Sequence, residues 1–313
     1  MGVLSGRAEL RPGLPPLATV RAVQEWSGAR GKRVIITGAT HGIGLAAAEE
    51  LARRGALLAI VARSKQRADQ AVSVISRAGG AGTEVDVLIG DLSSQESVRA
   101  VAAEALQRYP RIDVLVNNAG MLFEKRQESV DGIELTWALN HLAPFLLTTL
   151  LLDRIVASAP ARIVVTTSDA HKGQEIPFDD LNAQRSYRLR GFARYGQTKL
   201  ANVLFTVELA RRLRGTDVTA NCFHPGTVAT GFNRNNGRLM TTAMLVIRPF
   251  SRSPQKGAET LVWLVDSREA GAVTGGYVVD CREATPSKPA TDADAARRLW
   301  QVSLEQTRTS TPA

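Results

Sequence analysis

The sequence predicts a doubly wound α/β fold, a seven-stranded parallel sheet with helices on both faces. Three observations predict it. Short apolar runs such as Leu57–Ala62 and Val85–Ile89 are near-continuous rather than alternating, the pattern of strands buried on both faces. They alternate with helix-patterned stretches, which places parallel strands side by side with crossover helices between them. The first run ends in a glycine-rich turn that leads into a helix.

Composition bounds the rest. The 313 residues are 44% hydrophobic and 22% charged, enough apolar surface for a sizeable core. One domain over residues 32–306 is expected, with a flexible extension over 1–31 and a tail over 307–313. Pro12, Pro15 and Pro16 interrupt the extension, which lacks the apolar core of a secretory signal. Cys222 and Cys281 carry neither disulfide nor metal-site spacing, so no metal and a reducing, cytoplasmic setting are expected. The longest apolar run, around Phe145–Leu152, is shorter than a bilayer span of about 20 residues, so no transmembrane helix is expected. The net charge of +9 gathers partly in the first 33 residues and carries no aromatic-interleaved basic motif, which argues against a nucleic-acid partner.

Taken in order, the first strand ends in Thr37-Gly38-Ala39-Thr40-His41-Gly42-Ile43-Gly44, followed by good helix formers from Leu45 to Arg54. A strand, a glycine turn and a helix N-terminus together hold a diphosphate, because glycines let the backbone approach and the helix offers N–H groups and positive dipole. The second strand ends at Arg63, with Lys65 and Arg67 close behind and no acid before Asp69. An acid here would meet a free ribose 2′-hydroxyl, whereas an arginine accommodates a 2′-phosphate, so NADP(H) is expected over NAD(H). The third strand leads to Asp91-Leu92, where an adenine amino group could be met. The fourth leads to Asn117-Asn118-Ala119-Gly120, small residues that leave room at the sheet edge.

The next helix pattern, Asp131 to Val156, is interrupted at Pro144. Proline has no N–H, so the carbonyl of Asn140 loses its helical partner; the result is either a kink in a buried helix or an opening that holds a water. A fifth strand, Arg162 to Thr167, delivers Ser168 to the sheet edge. Then Tyr195 and Lys199, four apart, share one face of a helix running to Leu213. A cation beside a phenol favours the phenolate, so the pair is a candidate acid/base device, although helices also carry such pairs by chance.

In order and approximate spacing these motifs resemble the short-chain dehydrogenases/reductases, built on the Rossmann fold, over about Arg30 to Gln306. Leu139-Asn140-His141-Leu142, Ser168-Asp169-Ala170-His171 and Phe178-Asp179-Asp180-Leu181-Asn182 look like the retinol dehydrogenase branch, itself similar to the WW-domain oxidoreductases. The resemblance implies that Tyr195 exchanges a proton with the substrate oxygen and that Ser168 hydrogen-bonds that oxygen. It implies that Lys199 lowers the Tyr195 pKa and holds the nicotinamide ribose, and that Asn140 anchors a water. Gly38, Thr40, His41, Gly42, Ile43, Gly44, Arg63, Asp91, Leu92, Asn117, Ala119 and Gly120 would bind the cofactor with Tyr195 and Lys199. Pro225, Gly226, Val228 and Thr230 would line its nicotinamide end. His171 and His224 are read as structural.

Two stretches depart from the common pattern. Gly173 to Arg194 is inserted between Ser168 and Tyr195 and is expected to form a loop at the mouth, made cationic by Arg185, Arg188, Arg190 and Arg194. Residues 231–254 are expected to form a substrate lid, apolar and Met-containing, fringed by Arg234, Arg238, Arg248 and Arg252. The expected function is NADP(H)-dependent transfer of hydride between the nicotinamide and a lipophilic carbonyl or alcohol of retinal, steroid, aldehyde or ketone type. Weak membrane-surface contact through the lid and a homo-oligomer are expectations that go with it. The alternative is a catalytically weak, cofactor-binding regulatory protein on the same fold.

Overall fold

Strands β1 (Arg33–Thr37), β2 (Leu57–Ala62), β3 (Val85–Ile89), β4 (Val114–Asn117), β5 (Ala161–Thr166), β6 (Val218–His224), β7 (Tyr277–Val279) and β8 (Arg282–Ala284) form one sheet. Their order is β3-β2-β1-β4-β5-β6-β7-β8. The structure, a computed structural model, describes residues 28–228 and 251–310. Residues 1–27 of the expected extension and most of the expected lid therefore lie outside the described residues, as does Thr230.

β1 to β7 are parallel, as the apolar runs predict, and the sheet gains an eighth strand. β8 pairs antiparallel with β7, matching Tyr277 with Ala284. The tight turn between them puts Asp280 (φ 49°) and Cys281 (φ 59°) in the left-handed region. That geometry suits a two-residue hairpin but is usually signalled by glycine or asparagine, so this sequence gives no sign of it.

Both faces of the sheet are covered. Val34 and Ile36 of β1 pack into one cluster with the helices α1 (Gly42–Arg53), α2 (Lys65–Gly79) and α7 (Pro254–Asp266). Ile35 between them faces a second cluster built with α3 (Gln95–Arg108), α5 (Ala143–Ala157), α6 (Phe192–Arg212) and α8 (Ala293–Thr307). Alternate residues thus serve opposite layers, and because both layers are dry the strand reads as continuously apolar. The chain turns left along the sheet after β1 and right after β3, so the crevice between the C-terminal ends of β1 and β4 is the switch point where such folds bind ligands.

The interruption at Pro144 takes a defined form. A short turn, α4 (Leu135–Trp137), continues into a π-helical turn, Ala138–Leu142, before α5 begins with the proline in its first turn. Ala143 donates to the carbonyl of Ala138, the wider spacing that absorbs the missing N–H. The whole segment Leu135–Ala157 is long and apolar enough to cross a membrane, yet 89% of its most apolar window is buried inside the fold. It is a core helix, and the short-run argument undercounted it because Pro144 and the polar Asn140 and His141 interrupt the pattern. At the N-terminal side, Ala29 donates to Asp266 Oδ1 at 2.7 Å and Gly31 to the carbonyl of Gly55 at 2.9 Å. These residues of the expected extension are held by the domain.

Candidate active site

The glycine turn closes on itself tightly. A Cβ at Gly44 would sit 2.3 Å from the carbonyl oxygen of Gly38 and 2.5 Å from Asn118 Nδ2, so only glycine allows this approach. No side chain caps the first turn of α1, whereas Ser94 caps α3. The amides at the start of α1 therefore remain available to an anion.

Thr37 and Asn118 lace the strand ends together. The Thr37 hydroxyl donates to the carbonyl of Val116 and accepts from the amides of Asn118 (2.9 Å) and Ala119 (3.0 Å). Asn118 Nδ2 donates to the carbonyls of Thr37 (3.1 Å) and Gly38 (3.3 Å), while its Oδ1 accepts from the Thr166 hydroxyl at 3.2 Å. Asn117, the residue chosen from the sequence, points the other way. It is buried beneath the sheet edge and donates to the Thr148 hydroxyl of α5 at 2.8 Å. Neighbouring residues of a strand face opposite sides, so of two adjacent asparagines only one can reach the cavity, and it is Asn118.

The cavity at this switch point measures about 470 Å3. Gly38 and the run Thr40 to Gly44 line it at the glycine turn, and Arg63, Asp91 and Leu92 line it just past the ends of β2 and β3. Ala119, Gly120, Pro225, Gly226 and Val228 line it together with Ser168, Tyr195 and Lys199. Arg67, which the sequence grouped with Arg63, lines it as well, and so does Ser93, which sequence reasoning left aside; Asp91 Oδ1 is held by the Ser93 hydroxyl at 2.7 Å. These residues fit a dinucleotide: an uncapped helix N-terminus, a glycine cradle, and two arginines, Arg63 just past β2 and Arg67 in the first turn of α2.

The four residues singled out for catalysis take distinct positions. Ser168 starts a single 3₁₀ turn (Asp169–His171), its hydroxyl accepting from the Ala170 amide at 3.2 Å while it lines the cavity. His171 braces that turn. Its ring Nδ1 contacts the Ser168 carbonyl at 2.7 Å and its Nε2 accepts from the Ser287 amide at 3.1 Å, which assigns the proton to Nδ1. His224 accepts from the Asp169 amide at 3.3 Å, so both histidines are structural supports of the serine. Asn140 is fully buried and clasps Met121, accepting from its amide and donating to its carbonyl, each at 2.8 Å; it also donates to the Thr198 hydroxyl at 3.1 Å. Gly120 lies between Asn140 and Lys199, for a Cβ there would be 3.2 Å from Asn140 Oδ1 and 3.4 Å from Lys199 Nζ.

Electrostatics around Tyr195 differ from the sequence expectation. Burial pushes the phenol up from its ordinary value, and a hydrogen bond with Ser168 acts in the opposite direction. Lys199 Nζ lies 5.3 Å from the Tyr195 ring centroid and donates to the carbonyl of Thr166 at 3.2 Å. Burial lowers the ammonium to about 8. Sharing a helix face brings the two residues together, but the lysine crosses the ring rather than meeting the hydroxyl, and desolvation dominates both.

The inserted stretch 173–194 is tied down along its length, and much of its charge is paired. Arg185 meets Asp179 at 2.6 Å, Arg190 meets Glu124, and Arg194 meets Glu134 at 2.7 Å. Tyr187 donates to the carbonyl of Phe123 at 2.7 Å. Leu189 (φ 52°) and Arg190 (φ 51°) are left-handed, and a Cβ at the next residue, Gly191, would fall 2.0 Å from the Phe123 carbonyl. The loop is therefore less cationic than its composition suggests, and it braces Phe123, which lines the cavity. Arg252, near where the described chain resumes, donates its amide to the Thr227 carbonyl at 2.7 Å, so the described residues on the two sides of 229–250 meet beside the cavity.

Comparison with known proteins agrees with this fold. The family model described as short chain dehydrogenase matches residues 32–239. Retinol dehydrogenase 14 of Mus musculus is 44% identical over 285 residues, covering 87% of this chain and 85% of that protein. Retinol dehydrogenase 12 of Mus musculus is 42% identical over 275 residues, covering 88% and 86%. Among solved structures, an uncharacterized protein from Mycobacterium Paratuberculosis has a TM-score of 0.73 and 30% identity, covering 92% of this chain and 97% of that one.

Proposed function

The chain belongs to the short chain dehydrogenase family and to its retinol dehydrogenase branch, and from that premise we propose that it transfers hydride between NADP(H) and a lipophilic alcohol or carbonyl compound. An oxidoreductase of alcohols and carbonyls follows from the family. The finer reading rests on the cavity. The observation that carries it is the convergence of Ser168, Tyr195 and Lys199 with the glycine turn on one cavity at the switch point.

Arg63, just past β2, and Arg67, in the first turn of α2, support the phosphorylated cofactor, since the chain after β2 has no acid before Asp69 and Asp69 does not line the cavity. Met121, Phe123, Leu135 and Leu139 line the same cavity as Tyr195 with apolar side chains, which supports a lipophilic substrate. When bound, the nicotinamide supplies or accepts the hydride. The chain's own residues handle the proton and the substrate oxygen. In reduction the Tyr195 hydroxyl donates its proton to that oxygen, and the Ser168 hydroxyl donates a hydrogen bond to it. Burial keeps Tyr195 protonated at neutral pH, the state a proton donor requires. Lys199, held by Thr166, favours the phenolate left after transfer through its charge. Asn140 shapes the loop beside them by clasping Met121.

The test is a panel of lipophilic aldehydes and ketones assayed with NADPH and with NADH, for the native chain and for Tyr195→Phe. Turnover with NADPH is expected, and the variant should lose about 10²- to 10⁴-fold in kcat while still binding NADPH. Comparable turnover by Tyr195→Phe, or a clear preference for NADH, would contradict the reading.

A further inference from the structure

Glu134 and Arg194 form an ion pair whose side chains are 0% and 2% exposed, 2.7 Å apart. Neither touches the cavity, and the reaction as described uses neither. The contacts of the pair reach the segments that carry Asn140 and Tyr195, and the inserted stretch. The Glu134 carboxylate starts the helical segment that carries Asn140, accepting from the amides of Thr136 and Trp137, each at 2.9 Å, and from the Thr136 hydroxyl at 2.7 Å. Arg194 immediately precedes Tyr195 in α6. Its guanidinium also meets Gln197 Oε1 at 3.3 Å and the carbonyl of Leu181 in the inserted stretch, and it lies 4.6 Å from the Trp137 ring.

A second polar contact joins the same two helices, from Asn140 Nδ2 to the Thr198 hydroxyl at 3.1 Å. Apolar packing between helices is non-directional and tolerates small rotations and slides. Two directional contacts at separate points along both helices remove that freedom.

We propose that the Glu134–Arg194 pair is a positioning device that sets the helix of Tyr195 and Lys199 against the helix of Asn140, with the inserted stretch closing over the arginine. The geometry gives the insertion a task that its length alone does not disclose: its Leu181 carbonyl completes the arginine's coordination. The inference rests on Tyr195 being the proton donor. Removing the arginine lets α6 relax against its neighbour while the glycine turn, Arg63 and Arg67 stay in place. Turnover falls and cofactor binding does not.

The experiment compares Arg194→Met and Arg194→Lys with the native chain, each shown to be folded by circular dichroism and titrated with NADPH to count competent sites. In Arg194→Met the kcat per NADPH-binding site is expected to fall about tenfold or more, because misplacement on the ångström scale costs up to 10²-fold. The NADPH dissociation constant should stay within about twofold, and Arg194→Lys, which keeps the charge, should recover part of the rate. Should Arg194→Met fail to fold, Glu134→Gln/Arg194→Met removes both charges together and takes its place. A folded variant lacking the pair whose kcat per site stays within about twofold of native overturns the proposal. So does a fall in kcat that only tracks the loss of NADPH-binding sites, the mark of a purely structural role. If Tyr195→Phe remains active the functional reading itself fails; if Tyr195→Phe is inactive and Arg194→Met is native-like, only the present inference fails.

Discussion

Lys199 should cost the ligand-free fold stability, and replacing it by methionine should reveal how much. The ammonium is 2% exposed and its pKa falls from 10.5 to about 8 on burial. Such a fall corresponds to a native-state penalty of about 3 kcal/mol while the group stays charged in both states. Methionine has a similar length and no charge, so Lys199→Met relieves that penalty. It also removes the hydrogen bond to Thr166, worth about 1 kcal/mol. The Thr166 carbonyl is not stranded, since Asn202 Nδ2 donates to it at 3.3 Å. The balance is a gain of about 2 kcal/mol at pH 7, or roughly 3 to 4 °C in Tm for a domain of this size, with catalysis lost. The pH dependence fixes the cause. Below pH 8 both folded and unfolded native chains carry the charge and the full penalty. Between about 8 and 10.5 the folded lysine is deprotonated while the unfolded one still binds its proton, so stability of the native chain rises with pH relative to the variant. Above 10.5 the penalty is gone. Thermal unfolding of both proteins at pH 7 and pH 10.5 is the assay. Destabilisation by Lys199→Met at pH 7, or a gap that does not narrow with pH, would refute the argument.

Two further substitutions test the cofactor end of the cavity. Gly44→Ala places a methyl group 2.3 Å from the Gly38 carbonyl oxygen, a backbone atom that cannot swing aside, so the turn should open. A stability loss of about 1 to 3 kcal/mol is expected by thermal unfolding, with more than tenfold weaker NADPH binding by fluorescence titration; unchanged binding would show that the turn is not the diphosphate cradle. Arg63→Ala with Arg67→Ala should raise the KM for NADPH about ten- to a hundredfold, the worth of charge-assisted hydrogen bonds to a phosphate, and leave the KM for NADH nearly unchanged. Equal effects on both cofactors would remove the assignment of these arginines to a 2′-phosphate.

Much of the fold was legible because its signals are local. Continuous apolar runs placed β2 and β3 with the bounds that the structure has, and the glycine turn located the switch point. β8 was not legible, since its turn uses Asp280 and Cys281 in a conformation their side chains do not advertise. The distinction between Asn117 and Asn118 depends on which face of β4 meets the cavity, a matter of sheet twist and register rather than of residue type. Arg194 read as one more cation of a mouth loop, because its partner Glu134 lies on a separate element and only the fold brings them together.

Tyr195 and Lys199 mark where local reasoning stops. Helical spacing correctly puts them on one face, but the acidity of a phenol depends on what surrounds its oxygen in three dimensions. Here β5 supplies two of those surroundings at once: Ser168, just past its end, hydrogen-bonds the phenol, and the Thr166 carbonyl within it holds the ammonium. The lysine is thereby fixed over the ring, 5.3 Å from its centroid. A strand whose sequence announces only burial thus sets the surroundings of both candidate groups on α6. Altering those surroundings therefore requires changes at the β5–α6 contact, where Asn202 shares the Thr166 carbonyl with Lys199, and not at the tyrosine motif alone.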